Sequence, residues 1–140
     1  MRFEAVMEIA ADAERVWQVQ TDIDRWPEWT VSVRRARRRE PGPLTVGSTA
    51  LLEQPRLPPA VWRVVEVEAP YRFAWVSHAP GVRSRGDHLI VPLPDGRVRV
   101  ELTLEQRGPL AAPVGWLYGG LTRRYLRLEA EGLRRRCEGD

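Results

Sequence analysis

The chain has 140 residues, 43% hydrophobic and 29% charged, a length that suits a single domain spanning 1–140 with one core. One cysteine excludes an internal disulfide, and two histidines leave too few ligands for a Cys/His zinc site. All 22 basic residues are arginine, as a GC-rich genome would favour, and 19 acids nearly balance them, so a net charge of +3 implies no large positive field.

Residues 2–9 alternate: Phe3, Ala5, Met7 and Ile9 share one face, and Arg2, Glu4 and Glu8 fall on the other, as in a half-buried strand. Residues 12–20 read as a short helix capped by Asp12, with Glu14 in its positive first turn. Pro27 biases Trp26 away from helical geometry, so 21–29 reads as a turn or one broken helical turn. A strand is expected over 30–39, arginine-rich in its second half, and Glu40-Pro41-Gly42-Pro43 must be a loop.

Further strands are expected at 47–54, 60–68, 71–78, 83–93 and 97–106, separated by Pro- and Gly-containing turns. Asp95-Gly96 is the strongest hairpin signal among them. Such short connections make an antiparallel meander. Gly108-Pro109 ends the sheet, and a long amphipathic helix is expected to start near Pro113. Val114, Leu117, Tyr118, Leu121, Tyr125 and Leu128 recur on its apolar side, opposite Arg123, Arg124, Arg127, Glu131 and Arg134.

The expected fold is therefore α+β: a curved antiparallel sheet of six to seven strands, in the order β-α-α-β6-α, wrapped around a long C-terminal helix. One helix cannot cover a whole concave sheet, so an internal cavity is expected, walled by some of the six tryptophans, with Trp29, Trp62 and Trp75 foremost. His88 shares a strand face with Gly86 and Ile90, and points into that cavity if the face is the inner one. A lone inward histidine is more commonly a hydrogen-bonded wall residue than a base. Tyr118, Tyr125, Glu53, Arg35 and Arg37 are the other polar candidates, but no second residue can be set beside His88. No catalytic residues are assigned, and no cofactor or metal is expected. Arg34 to Arg39 and Arg134 to Arg136 could offer an anion-binding surface; a solvated strand end and helix end is the plainer reading. Exposed aromatics do not interleave with these runs, which disfavours nucleic acid.

No run of 18 apolar residues is present, so no transmembrane segment is expected. The first residues, Met1-Arg2-Phe3-Glu4, do not read as a secretory signal, so a cytoplasmic protein is the expectation, as monomer or homodimer.

These features, in order, resemble the START-like superfamily, also called SRPBCC, and within it the polyketide cyclase/dehydrase-type branch. The resemblance rests on Ala10-Ala11-Asp12-Ala13-Glu14-Arg15-Val16-Trp17, Thr21-Asp22, Trp26-Pro27-Glu28-Trp29 and Trp62-Arg63-Val64-Val65. It continues through Pro70-Tyr71-Arg72-Phe73-Ala74-Trp75, His88, Pro92-Leu93-Pro94-Asp95-Gly96 and the C-terminal Glu129 to Glu138 stretch. It implies the helix-grip fold with a hydrophobic cavity between sheet and last helix. The expected lining is Trp29, Val33, Leu51, Trp62, Trp75, His88, Leu117, Leu121 and Tyr125. The function expected is binding or transport of a small hydrophobic or amphipathic molecule, lipid-, polyketide- or quinone-like. The alternatives are a cofactor-free cyclase/dehydratase, and a protein-interaction module of the co-chaperone or ribosome-associated kind.

Overall fold

The computed structural model describes residues 1–139. Strand β1 (Arg2–Ile9) is followed by helix α1 (Ala13–Thr21) and a 3-10 turn (Ile23–Glu28). Six strands come next: β2 (Arg35–Arg38), β3 (Thr49–Glu53), β4 (Ala60–Glu68), β5 (Arg72–Ala79), β6 (Val82–Pro92) and β7 (Val98–Arg107). Helix α2 (Ala111–Gly139) is the last described element. The seven strands form one antiparallel sheet in the order β1-β7-β6-β5-β4-β3-β2. This is the sheet wrapped around a C-terminal helix that the sequence pattern predicts, and the helix-grip fold that the resemblance implies.

Local chemistry explains most boundaries. Asp12 caps α1 by accepting from the Arg15 amide at 2.8 Å. Gly96 (φ 84°) and Gly81 (φ 78°) take the left-handed conformation at the β6–β7 and β5–β6 hairpins, which a side chain would resist. The expected strand over 30–39 shrinks to Arg35–Arg38. Residues 30–34 instead turn inward: Thr30 Oγ1 lies 2.7 Å from Ser32 Oγ, both side chains are buried, and Val33 joins the core. Hydroxyls that bond locally compete with a strand ladder, and here they win. The resulting edge strand is short and arginine-coated, and its Arg38 amide donates to Asp24 Oδ1 at 2.6 Å, which protects the edge.

Strand alternation sorts the sheet into two faces. On the convex face Glu66, Arg72, Arg85 and Asp87 form an ionic network across β4, β5 and β6, with Arg72 3.1 Å from Glu66 and Arg85 3.0 Å from Asp87. Ala74 and Val76 lie on that same face yet are buried. The concave face runs in register as layers. Ser77, Ser84 and Gln106 lie nearest the β5–β6 hairpin. Trp75, Gly86 and Leu104 come next, then Phe73, His88 and Leu102, with Ile90 and Val100 beyond them.

The helix begins at Ala111, two residues before Pro113, and runs for 29 residues. Its buried face differs from the expected one. Ala111, Gly115, Gly119, Tyr125, Glu129, Ala130, Gly132, Leu133 and Cys137 are buried, whereas Leu117 is 67% exposed. Glycines set this rotation by letting the helix backbone approach the sheet. A methyl on Gly119 would touch the Phe3 ring at 3.4 Å, and one on Gly132 would collide with the Trp29 carbonyl oxygen. Gly120, by contrast, has open space around it.

These two glycines predict opposite responses to alanine. Gly132→Ala should cost about 2 kcal/mol, because the clash is with backbone and outweighs the helix-propensity gain of about 1 kcal/mol. Gly120→Ala should gain up to about 1 kcal/mol. Urea unfolding of both variants checks this, and a Gly132→Ala protein as stable as the parent would refute the close-packing account.

Candidate functional site

The inner face of β5 and β6 carries Phe73, Trp75 and His88, and the 3-10 turn lowers Trp26 and Trp29 onto them. Pro27 lies within that turn, and Trp26 is oriented by donating its Nε1–H to the Gln20 backbone carbonyl at 3.0 Å. The rings form a continuous cluster. Trp26 lies 5.7 Å from Trp29 and 5.4 Å from Trp75, and Trp75 lies 5.5 Å from Trp62. His88 stacks on Phe73 at 4.1 Å with an interplanar angle of 9°. Gly86 is what admits Trp75: a methyl there would stand 3.0 Å from the indole Nε1.

One helix residue enters this cluster with a charge-capable group. Glu129 Oε2 lies 3.7 Å from His88 Nε2, and both side chains are buried. Burial pushes the Glu129 carboxyl up to about 8. Burial also drives the His88 imidazole down to about 4, and the Phe73 backbone and the Asp87 charge oppose that shift without reversing it. Between those values both groups are neutral, so the pair is a protonated carboxyl beside a neutral imidazole, not an ion pair. Around it several buried polar atoms make no hydrogen bond within the fold: His88 Nδ1, Trp29 Nε1, Trp62 Nε1 and both amide atoms of the Gln20 side chain. A buried polar atom without a partner is costly and calls for a partner that the fold does not supply.

The expected lining residues divide into three groups. Trp29, Trp75 and His88 meet in the ring cluster, Val33 joins the same core, and half-buried Trp62 packs on its edge. Tyr125 is buried, donates its hydroxyl to the Pro55 carbonyl and so ties α2 to the β3–β4 loop; Leu121, one turn before it, is half-buried. Leu51 and Leu117 lie apart. Leu51 pairs with Arg37 and Val61 on the convex face, because its neighbours Ala50 and Leu52 take the inner one, and Leu117 is turned outward by the glycine face of α2.

Glu129 was not among the expected residues. The signal was its spacing, four residues after Tyr125 and four before Leu133, which puts a carboxyl inside the apolar stripe. Gln20 and Phe73 were also missed as contributors, and Trp26 was counted among the six candidate wall tryptophans without being singled out. The interior at the His88 layer is filled by rings. The inner-face residues nearer the hairpin, Trp62, Ser77, Ser84, Leu104 and Gln106, are only half-buried. Two hollows elsewhere are superficial and polar. One of about 160 Å³ lies among Arg15, Asp22, Arg25, Trp29 and Arg136, and one of about 380 Å³ lies between the end of α1 and residues 40–44.

The sequence profile of a family described as polyketide cyclase/dehydrase and lipid transport matches residues 1–138. No curated protein matches the chain in sequence. Among solved structures, the hypothetical protein jhp0584 of Helicobacter pylori superposes with a TM-score of 0.85 at 17% identity, covering 99% of this chain and 88% of that one. A START superfamily protein of Mycobacterium smegmatis gives 0.71 at 18% identity over 97% and 96% of the two chains. The di-domain ARO/CYC protein BexL of the BE-7585A biosynthetic pathway gives 0.71 at 16%, over 96% of this chain and 45% of that one. At these identities the likeness is one of fold. Among the described residues, no helix is long and apolar enough to cross a membrane.

The Glu129–His88 pair fixes a pH dependence. An unfolded glutamate ionises from about 4.5 and an unfolded histidine deprotonates near 6.5. Between those values folding takes up a proton at Glu129 and releases one at His88, so their effects on stability offset. Above 6.5 only Glu129 remains, the unfolded chain holds fewer protons than the native one, and stability falls as pH rises to about 8. Thermal unfolding from pH 6 to 9 should show this decline in the parent and not in Glu129→Gln; parallel curves would show that Glu129 is ionised in the fold.

Proposed function

The chain belongs to the polyketide cyclase/dehydrase and lipid transport family, and from that premise we infer that it binds a small, uncharged amphipathic molecule at the hairpin end of its concave face. The apolar body of the ligand lies against Trp62, Trp75, Leu104, Leu121 and Tyr125. Its polar end reaches toward Glu129 and His88. The carrying observation is the set of buried polar atoms without partners, His88 Nδ1, Trp29 Nε1 and Trp62 Nε1, embedded in a ring cluster. Aromatic walls with a few convergent polar groups are how small-molecule sites obtain affinity and orientation together. The neutrality of the Glu129–His88 pair supports an uncharged polar end, such as a hydroxyl or carbonyl, since an ionised one would be desolvated there without a counter-charge.

Binding of N-phenyl-1-naphthylamine, a neutral fluorescent amphiphile, tests this reading. The parent should bind it, and Trp62→Leu should weaken binding about tenfold, the scale of one lost aromatic contact. Equal affinity in the parent and in Trp62→Leu would remove this end of the sheet as the site. Mass spectrometry of an organic extract of the purified protein would then identify what it carries.

A second reading has its own observation. Glu129 holds a proton at neutral pH and His88 can accept one, and the two stand 3.7 Å apart. Opposed protonation states side by side are what acid–base catalysis on an enolisable carbonyl requires. On a polyketide-like substrate this pair would act as proton donor and acceptor in a cyclisation or dehydration. His88→Ala and Glu129→Gln should then each abolish turnover and leave binding of the neutral probe within about twofold. Loss of probe binding in step with turnover would make the pair a binding element instead.

A further inference from the structure

Helix α2 opens with an apolar surface that the fold does not cover. Trp116 is 83% exposed, Leu117 67%, Leu110 48% and Tyr118 37%. The same helix buries glycines at 115 and 119, so its bulky residues face solvent while its small ones face the sheet. The patch is held rigidly. The Leu110 amide donates to the Gly81 carbonyl at 3.0 Å, and a methyl on Gly81 would overlap the Leu110 side chain, so the first turn of α2 rests on the β5–β6 hairpin.

Positive charge lies at the same end of the molecule, on the convex face of the sheet. His78, Arg83 and Arg107 are register partners across β5, β6 and β7 at the same end of the sheet, and all three are exposed. Arg107 is bonded to Glu105 at 2.6 Å, and no carboxylate among the described residues lies within ion-pair reach of Arg83. Arg123 and Arg124 follow two turns along α2, exposed, with the Arg123 guanidinium over the Phe3 ring at 5.2 Å.

We propose that this end of the molecule docks on the surface of a bilayer containing anionic lipids, with Trp116 and Leu117 inserted at the headgroup level and Arg83, Arg107 and Arg124 against the phosphates. An indole and a leucine side by side, with long-stemmed arginines at the same end of the molecule, match the interfacial zone of a membrane. A second copy of the chain fits worse. An isologous contact would bring together two copies of the same positively charged end. The four side chains also offer roughly 500 Å², less than the about 800 Å² each partner gives to a standard protein interface. A single-stranded nucleic acid would use the indole but would leave Leu110 and Leu117 uncovered.

The docking surface stands independently of the internal site, since none of its residues belongs to the ring cluster. The test is co-sedimentation of the full chain with phosphatidylcholine vesicles, with and without phosphatidylglycerol. The parent should bind the anionic vesicles and release with added salt. Trp116→Ser with Leu117→Ser should lower the binding constant about tenfold with an unchanged melting temperature. Arg83→Gln should lower it about fivefold, equivalent to about 1 kcal/mol per surface arginine. The proposal is overturned if the parent ignores anionic vesicles or if the Trp116/Leu117 double variant binds them as well as the parent. It is also overturned if light scattering shows a dimer that the double variant dissociates. Failure of probe binding at the internal site would leave the vesicle result unaffected, so the two readings fail separately.

Discussion

The close approach of α2 to the sheet sets the conditions for everything inside it. A helix with large side chains against a sheet sits about 10 Å away, and glycines reduce that distance. Here Gly119 brings the backbone within contact of the Phe3 ring, and Gly132 rests on the Trp29 carbonyl. The bulky residues must then go elsewhere. Leu117 and Trp116 turn to solvent, Tyr125 leans across to Pro55, and Glu129 is carried into the interior. One geometric constraint thus produces the exposed patch, the bridge to the β3–β4 loop and the buried carboxyl together.

Glu129 shows what that constraint does to chemistry. A carboxyl forced among rings has no solvent to stabilise its charge, so it keeps its proton. His88, held flat on Phe73, loses its proton for the same reason. Neither group needs the other to explain its state, because desolvation leads for each. Their proximity matters because two neutral groups, one a donor and one an acceptor, then stand together in a dry interior. Such an arrangement can receive a hydroxyl or carbonyl without creating charge.

Much of the fold was legible in the sequence because its punctuation is chemical. Proline and glycine separate runs whose alternation is clean, as in β7, where Val98, Val100 and Leu102 are buried between half-exposed neighbours. That alternation also grouped His88 with Gly86 and Ile90, and the structure makes their shared face the inner one. The helix face was illegible for a physical reason. A hydrophobic pattern assumes that buried positions are apolar and bulky, whereas α2 buries glycines and a glutamate and exposes tryptophan and leucine. Residues 30–34 misled for a related reason, since β-branched valines and a threonine read as strand until Thr30 and Ser32 bond to each other. Leu51 was misplaced by a single step of alternation, which in a strand is a change of face.

The two ends of α2 are fastened differently, and this gives the domain a direction. At the C-terminal end Glu138 accepts from the Ala10 amide at 2.8 Å, Arg136 pairs with Glu28 at 2.8 Å, and Arg15 donates to the Arg136 carbonyl at 3.2 Å. That end also carries Leu133 and Cys137 into the core. At the N-terminal end the helix rests on the β5–β6 hairpin and on glycine contacts to Met1 and Phe3, and its outer side is bare. The inner-face layers follow the same gradient, from fully buried at Ile90 and Val100 to half-buried at Ser84 and Gln106. In the proposed reading a ligand reaches Glu129 and His88 from the hairpin end, which is also the end that bears Trp116. A molecule leaving a bilayer there would meet Trp62 and Leu104 before it met any charged group. His88 Nδ1, which has no partner, lies beyond them in the buried Phe73 layer, where an apolar molecule with one polar terminus would bring its terminus last.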